Sequence, residues 1–517
     1  MALDSTAFKT IVPSRYITFT IPNLLLHLHH FNSSQLRIAV LDSPATSESI
    51  QIAAMLVPTG RESDWYFSTE QGHLQLILNF PQLSRLVLIG NSSNSTNPTS
   101  YNPLLCTDGV AGVANLSVVE ENLMPLLIEL IPRSAFCRTG DGLCEIPFLS
   151  YEDEVVRSLV LDRCVGEFVG EMLIEDVELE LEDGGGREFR RRLRFKRMPN
   201  LVQTQIKIRP KNVDFVNMEE VEFEIVDDGV LVHPYLTPMV AGLSVIRSFL
   251  DAKIGNGIKP KALCLGVGGG ALLGFLSSQL GLQVLGIEAD NVVLEVARRY
   301  FGLERGSSIH LCVGDALDTI GKFATQVESD GFRGYVLENG EHLNDFDGKF
   351  DVIMIDLDAT DSNIGMSAPP LAFFHKSALL AIRTLLSKDG VVIINVIPSN
   401  QTSYKLVITE FKEVFAELYE IDVGNEDNFV LIASASKIGH VSVHRQTTPG
   451  TNIYNIQRPI VYLQNSKVVR PCQAALSQAS LQFLCKLQIN TRHALTTVQL
   501  QFMQFLPQLL QLTGSPV

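Results

Sequence analysis

Lys261-Ala-Leu-Cys-Leu-Gly-Val-Gly-Gly-Gly270, followed by a helical stretch and then Gln283-Val-Leu-Gly-Ile-Glu288-Ala-Asp290, is the segment whose reading decides the fold. An apolar run (Ala262 to Leu265) breaks into a glycine-rich turn, a helix of one crossover length comes next, and a second apolar run ends on a carboxylate. This is the first half of a nucleotide-binding βαβ unit. Glycines at 266, 268 and 270 let backbone approach a ligand where a Cβ would collide, and Glu288 stands where a strand end can accept hydrogen bonds from two ribose hydroxyls. An adenosine cofactor is therefore expected. The turn alone also fits a dinucleotide fingerprint or a purely structural strand-to-helix turn, so the choice rests on the later strands of the sheet.

Downstream, Ser308 to Val313 reads as a third strand running into Gly314-Asp315-Ala316, which brings a second carboxylate to the crevice where an adenine amino group would lie. Phe350-Asp-Val-Ile-Met-Ile355 is a fourth, almost wholly apolar, as expected of a sheet covered on both faces. It delivers Asp356-Leu-Asp358 into a loop. Gly390 to Val396 is a fifth strand, and a helix is expected from about 403 to 418. Tyr419 to Val423 and Phe429 to Ala433 are then separated only by Gly424-Asn-Glu-Asp-Asn428, and strands so closely joined must be antiparallel. A parallel sheet closed by a hairpin is the arrangement of seven-stranded S-adenosylmethionine methyltransferases. Dinucleotide-binding folds usually end on another parallel crossover. The expected class is thus α/β, a seven-stranded Rossmann-like fold behind a β-rich N-terminal region, with boundaries at 1–235, 236–436 and a tail at 437–517.

These residues resemble a known family. Gly266-Val-Gly-Gly-Gly-Ala-Leu, Ile287-Glu-Ala-Asp290, Val313-Gly-Asp-Ala316 and above all Phe350 to Asp358 followed by Gly365-Met-Ser-Ala-Pro-Pro370 look like the spermidine-synthase-like methyltransferases. The match is to the C-terminal half of the elongation factor 1-alpha lysine and N-terminal methyltransferase family. Arg37 to Pro44, Ile52 to Pro58 and Gly60-Arg-Glu-Ser-Asp-Trp-Tyr-Phe-Ser-Thr69 resemble the leading region of that half, so the likeness covers roughly residues 15–436. It implies S-adenosyl-L-methionine as cofactor and a protein amine as acceptor, with elongation factor 1-alpha as the partner. Full-length family members carry another methyltransferase domain in front, associated with lysine methylation. The residues before 30 do not hold it, so the half expected here is the one associated with N-terminal amines. Aminopropyltransferase cousins carry an aspartate in the glycine turn that grips the aminopropyl nitrogen. That position is Gly269 here, which argues against spermidine synthesis. A catalytically silent protein using the same fold as a scaffold is the alternative from another class.

Composition fits an intracellular enzyme. With 517 residues and 46% hydrophobic content the chain can bury more than one core. Eight cysteines show no Cys-x-x-Cys pair and read as reduced thiols, which points to the cytoplasm and away from zinc. No opening segment has the flank and length of a signal peptide, and no membrane partner is expected. Asn91-Ser-Ser and Asn94-Ser-Thr are accordingly read as a polar loop. The net charge of −16 disfavours nucleic acid and favours a basic partner. Assembly of like chains is left open. Charge is uneven: residues 1–427 hold 34 basic and 57 acidic residues, a net of −23, while the last 90 residues hold seven Lys or Arg and no acid. That stretch is glutamine-rich and outside the family resemblance, so it is expected to be a divergent tail.

Upstream of the core, Ile174 to Glu182 and Arg187-Glu-Phe-Arg-Arg-Arg-Leu-Arg-Phe-Lys-Arg197 read as a hairpin whose acidic arm faces a basic arm on a solvated face. Trp65 is expected to be a core or interface anchor, and His27-Leu-His-His30 a surface cluster rather than a metal site. The chain should enter a helix at Thr237, with Pro238 at its first position, and that helix should lie against the first sheet strand. For the chemistry, an enzyme must hold a neutral amine in line with an already activated methyl. An α-amine, with a pKa of roughly 7.7–8.0, is partly neutral at physiological pH, whereas lysine near roughly 10.4 needs more help. Asp356 and Asp358 are the candidates to bind the ammonium and let its proton depart, with Asp361 behind them.

Overall fold

The structure is a computed structural model. It describes residues 5–437 except 26–30, 46–49, 94–96, 104–115, 133–145, 152, 182–185, 213–214, 216, 304–307, 330–333, 337–341, 344, 347, 360–365 and 424–427. The tail expected beyond 437, the histidine cluster at 27–30 and Asp361 lie outside the described residues. Two compact units emerge, residues 1–165 with 170–224, and 166–169 with the chain from 225 onward.

The first unit contains two sheets. Strands β1 (Tyr16–Pro22), β2 (Gln35–Asp42), β3 (Ile52–Leu56), β4 (Arg85–Asn91) and β5 (Phe148–Leu149) lie in the order β1-β2-β4-β3-β5. β3 runs parallel to β4 and β5. Alternation along β2 sends Ile38 and Val40 into one core with Leu123 and Leu127, and Ala39 and Leu41 into another with Phe67 and Leu76. Helices α1 (Trp65–Ser68), α2 (Glu70–Leu78) and α3 (Leu116–Glu129) supply those covering residues, so this part of the β-rich region is itself an α/β layer. Trp65 is fully buried, as a core anchor should be. Asn91 closes β4, where its side chain accepts from Ser33 N and donates to Glu62, so it is not the loop residue expected.

The second sheet is a meander of β6 (Val155–Gly166), β7 (Gly170–Glu180), β8 (Arg187–Phe195), β9 (Val202–Pro210) and β10 (Phe223–Ile225). The expected hairpin is β7–β8, and its antiparallel register sets Glu175 opposite Arg192, Asp176 opposite Arg191 and Glu180 opposite Arg187. The face is not solvated, however. Glu175, Asp176 and Glu178 are buried and each has an arginine partner, Arg194, Arg191 and Arg157 respectively. Buried carboxylates persist only when paired in this way.

The second unit is built on β11 (Lys261–Leu265), β12 (Gln283–Glu288), β13 (Ile309–Val313), β16 (Phe350–Ile355), β18 (Leu386–Pro398), β19 (Glu417–Asp422) and β20 (Phe429–Ser434). A short ribbon, β14 (Tyr335–Val336) with β15 (His342–Leu343), stands apart, and β17 (Met366–Ala368) adds to the end of β18. The strand order is β13-β12-β11-β16-β18-β20-β19. Strands from β13 to β18 are parallel, and β20 runs antiparallel to both neighbours. This is the seven-stranded Rossmann-like methyltransferase topology, closed by the expected hairpin. The order of the strands, though not their direction, reverses between β11 and β16, where ligands of open α/β sheets bind at the strands' carboxyl ends.

The helices of this unit are α4 (Leu236–Ala241), α5 (Arg247–Gly255), α6 (Ala271–Ser278), α7 (Asn291–Tyr300), α8 (Ala316–Glu328), α9 (Lys376–Leu385) and α10 (Gln401–Val414). Two local readings are corrected. Helix α10 stops at Val414, because Leu418 and Tyr419 are drawn into register opposite Ala433 and Ile432. Helix α4 begins at Leu236 with no side-chain cap, so Thr237 lies inside it. Leu236, Met239 and Val240 of α4 share one core with Ala262 and Cys264 of β11, as expected, and the turn after α4 lies over β18 and β20. A Cβ on Gly242 would come within 3.0 Å of both Ile393 and Ile432. Among the described residues no helix is long and apolar enough to cross a membrane, and no cluster of His, Cys, Asp or Glu could hold a metal.

Candidate active site

Backbone geometry explains the glycine turn. Gly266, Gly268 and Gly270 have φ of 87°, 52° and 85°, in the left-handed region. A Cβ on Gly266 would lie 2.1 Å from the carbonyl oxygen of Asp356, so the end of β11 passes against the end of β16 only because this residue is glycine. The same approach is closed by Asp356 N donating to Leu265 O at 3.0 Å. Gly270 then caps α6.

Glu288, the last residue of β12, turns back onto this loop. Its Oε2 accepts from Val267 N at 3.0 Å and Gly268 N at 3.3 Å, and its Oε1 from Asp290 N at 3.4 Å. Burial pushes its carboxyl up, against the pull of these backbone donors, and Asp358 adds to the rise. A carboxylate has about four acceptor positions, so capacity remains for hydroxyl donors. Asp290 caps α7 through Val292 N and also accepts from Phe168 N and Val169 N, a structural use that its position two residues after Glu288 did not announce. Asp315 is exposed and caps α8 by accepting from Asp318 N at 2.9 Å, while Ala316 is buried beneath it. The residues expected to hold the cofactor therefore line the carboxyl ends of three adjacent strands, β11, β12 and β13. They fit an adenosine cofactor: a turn that excludes side chains, and acids at the ends of the next two strands.

Across the crevice, Asp356 comes directly after β16. Tyr235 Oη donates to its Oδ2 at 3.2 Å, and Asn395 Nδ2 to its Oδ1 at 3.1 Å. Among the described residues no cation accompanies these neutral donors in its hydrogen bonds. Burial pushes its carboxyl up to about 6, Asp358 adds to the rise, and the two donors oppose it. Asp358 lies two residues on in the same loop, half-buried. Tyr235 is driven well above its ordinary range by burial and by Asp356, so it stays a phenol and a donor. Below, burial and Asp356 likewise push up the Cys264 thiol. Asn395 is buried in β18, and its Oδ1 has no hydrogen-bond partner among the described residues.

Of the expected acids, Asp356 and Asp358 are brought to the reversal point together with Glu288. Tyr235 and Asn395 were not anticipated as site residues. Asn395 had a visible signal, the one strongly polar side chain in the apolar run Val391 to Val396. Tyr235 lies 121 residues from Asp356, and nothing local points to it.

Several known proteins are similar to this chain. The chain is 29% identical over 413 residues to the Danio rerio eEF1A lysine and N-terminal methyltransferase, covering 77% of this chain and 53% of that protein. It is 24% identical over 412 residues to the Homo sapiens protein of the same name, covering 76% and 52%. The chain is homologous to eEF1A lysine and N-terminal methyltransferases. It spans about half the length of these curated relatives. No family model matches. Among solved structures, human methyltransferase-like protein 13 in complex with SAH is 27% identical, with 42% of this chain and 86% of that one covered at a TM-score of 0.34. Spermidine synthase from Thermotoga maritima is 17% identical, with 54% and 74% covered at 0.32. The fold assignment rests on the strand order, since these overlaps are partial.

Proposed function

We propose that this chain is an S-adenosyl-L-methionine-dependent protein methyltransferase that acts on an amine of elongation factor eEF1A, with residues 236–436 as the catalytic domain. The observation that carries the reading is the pairing of a glycine turn and Glu288 on one side of the switch in strand order with Asp356, held among the described residues by neutral donors, on the other. S-adenosylmethionine, when bound, supplies a methyl group already activated for displacement. Gly266, Gly268 and Gly270 leave room for it, Glu288 receives its ribose hydroxyls, and Asp315 with Ala316 meets its adenine.

The chain's own acids then prepare the acceptor. An ammonium group entering the crevice meets two carboxylates, Asp356 and Asp358, with no competing cation among the described residues in Asp356's hydrogen bonds. Asp356, pushed up to about 6, is ionised at neutral pH yet basic enough to take a proton from a bound amine at its Oδ atoms. Tyr235 and Asn395 fix its plane while it does so. An α-amine, with a pKa of roughly 7.7–8.0, sits closer to this base than a lysine near roughly 10.4, which favours an N-terminal acceptor. A translation factor as substrate suits a cytoplasmic protein. The test is incubation of purified protein with isotopically labelled cofactor and purified eEF1A, then mass spectrometry of its N-terminal and lysine-containing peptides. Label on the N-terminal peptide is the expected outcome. Absence of label on eEF1A, with transfer to a small amine instead, would refute the substrate assignment.

A further inference from the structure

Two motifs of the sequence remain unused by the methyl-transfer site, the basic run 187–197 and the stretch Gly60 to Thr69. Both border a polar cavity of about 150 Å³ within the first unit. Arg61 lies over the rings of Tyr101 and Tyr151, with its guanidinium 5.7 and 5.3 Å from their centroids. It pairs with Asp153 at 2.5 Å and with Asp64 at 3.6 Å. Arg194 pairs with Asp64 at 3.1 Å and with Glu175 at 2.8 Å. Two arginines thus serve three carboxylates.

The third arginine of the cavity is different. Arg192 shares the face of β8 that carries Arg194, two residues apart along the strand. Among the described residues it makes no hydrogen bond and no close ion pair, Glu175 and Asp153 acting on it only at longer range, and its Nε is buried with no acceptor. A buried guanidinium donor without an acceptor costs stability unless something that binds there supplies one.

We propose that this cavity binds a carboxylate monoanion, received by the guanidinium fork of Arg192. The planar pair of carboxylate oxygens matches two parallel N–H donors. A dianion such as phosphate would set its second charge against Asp64, Asp153 and Glu175 in the same enclosed space. A free organic acid and a glutamate side chain of a protein present the same group. The inference does not depend on the methyltransferase reading, since it concerns a different part of the chain and a different ligand.

The full-length protein is titrated calorimetrically, at constant ionic strength, with acetate, with free glutamate, with a terminally blocked peptide carrying one glutamate, and with inorganic phosphate. Saturable binding of at least one carboxylate, tighter than phosphate, is expected. Arg192→Gln should weaken it about tenfold or more, the scale of a charge-assisted pair, without lowering the melting temperature. Equal binding of acetate or glutamate and the peptide indicates a free acid as ligand, and binding of the peptide alone indicates a protein side chain. Ser158→Leu, which fills the cavity while keeping Arg192, should also abolish binding, so the test survives if the arginine variant folds poorly. No saturable binding by any carboxylate, tighter binding of phosphate, or unchanged affinity in both variants would overturn the proposal.

Discussion

Strand β16 has Asp351 near its start and Asp356 directly after its end, and the two have opposite surroundings. Asp351 is fully buried and receives Lys253 Nζ at 2.7 and 2.8 Å, Lys261 N at 2.9 Å and Ser387 Oγ at 3.1 Å. Asp356, just beyond the other end, receives a phenol and an amide and no other side chain among the described residues, with the carboxylate of Asp358 close by. At Asp351 a cation and two further donors offset the cost of burying charge. At Asp356 they do not, and its carboxyl is pushed up to about 6. The first arrangement favours stability. The second leaves a base whose charge is satisfied only when a cation arrives, as expected of an acid used in chemistry.

The largest effect expected from this contrast is on stability at the Asp351 end. Asp351→Asn leaves Lys253 without its counter-charge and should cost about 3 kcal/mol, toward the lower limit for a broken buried pair because the lysine keeps some contact with water. Chemical denaturation reads this directly. A loss under about 1 kcal/mol would show that the two ends differ less than their partners suggest. Next in size, Asp358→Asn should leave cofactor affinity within a fewfold and slow methyl transfer by roughly a hundredfold, as expected when one electrostatic group is removed from an acceptor site. Steady-state kinetics with eEF1A separates the two quantities. Wild-type transfer would confine acceptor binding to Asp356.

Glu288→Ala tests the cofactor side of the crevice. Loss of charge-assisted hydrogen bonds to the ribose should weaken S-adenosylmethionine binding by about tenfold or more in isothermal titration, with the fold intact. Unchanged affinity would take Glu288 out of the site. The smallest effect is expected from removing the chain beyond Lys437. Strand β20 ends at Ser434, so every strand of the sheet remains. The shortened protein should bind cofactor and melt within a few degrees of the full chain, and insoluble protein would place part of the fold beyond that point.

The same contrast shows what a sequence reveals and what it hides. The glycine turn, Glu288 and the acids after β16 were legible because each depends on a local pattern: an apolar run, a break, and a polar residue where the strand ends. The antiparallel close of the sheet was legible in a short loop that permits only an antiparallel pair. The strand end pointed to Asp356, but the groups that surround Asp351 and Asp356 were hidden, because they come from 36 to 121 residues away. The acidic arm of β7 was misjudged as solvated for a related reason. Its alternation predicted the cross-strand charges opposite it, but not the layer that buries them, to which Asp64 contributes through Arg194.

The most direct test of the account is Asp356→Asn, measured for transfer and for stability as a function of pH. The wild-type rate, with cofactor saturating, should rise with pH up to about 6 as Asp356 ionises. A carboxyl whose folded pKa, here about 6, exceeds its unfolded value of roughly 3.9 binds its proton more tightly when folded, so stability falls as pH rises through that interval. The asparagine variant cannot ionise. It should therefore lose transfer to the eEF1A amine by a hundredfold or more, on the order expected for an acid–base group. It should still bind S-adenosylmethionine, and at pH 7.5 it should melt no lower than the wild type, an advantage that disappears near pH 4. An Asp356→Asn protein that transfers methyl groups at the wild-type rate, or one that is strongly destabilised at pH 7.5, would contradict the account.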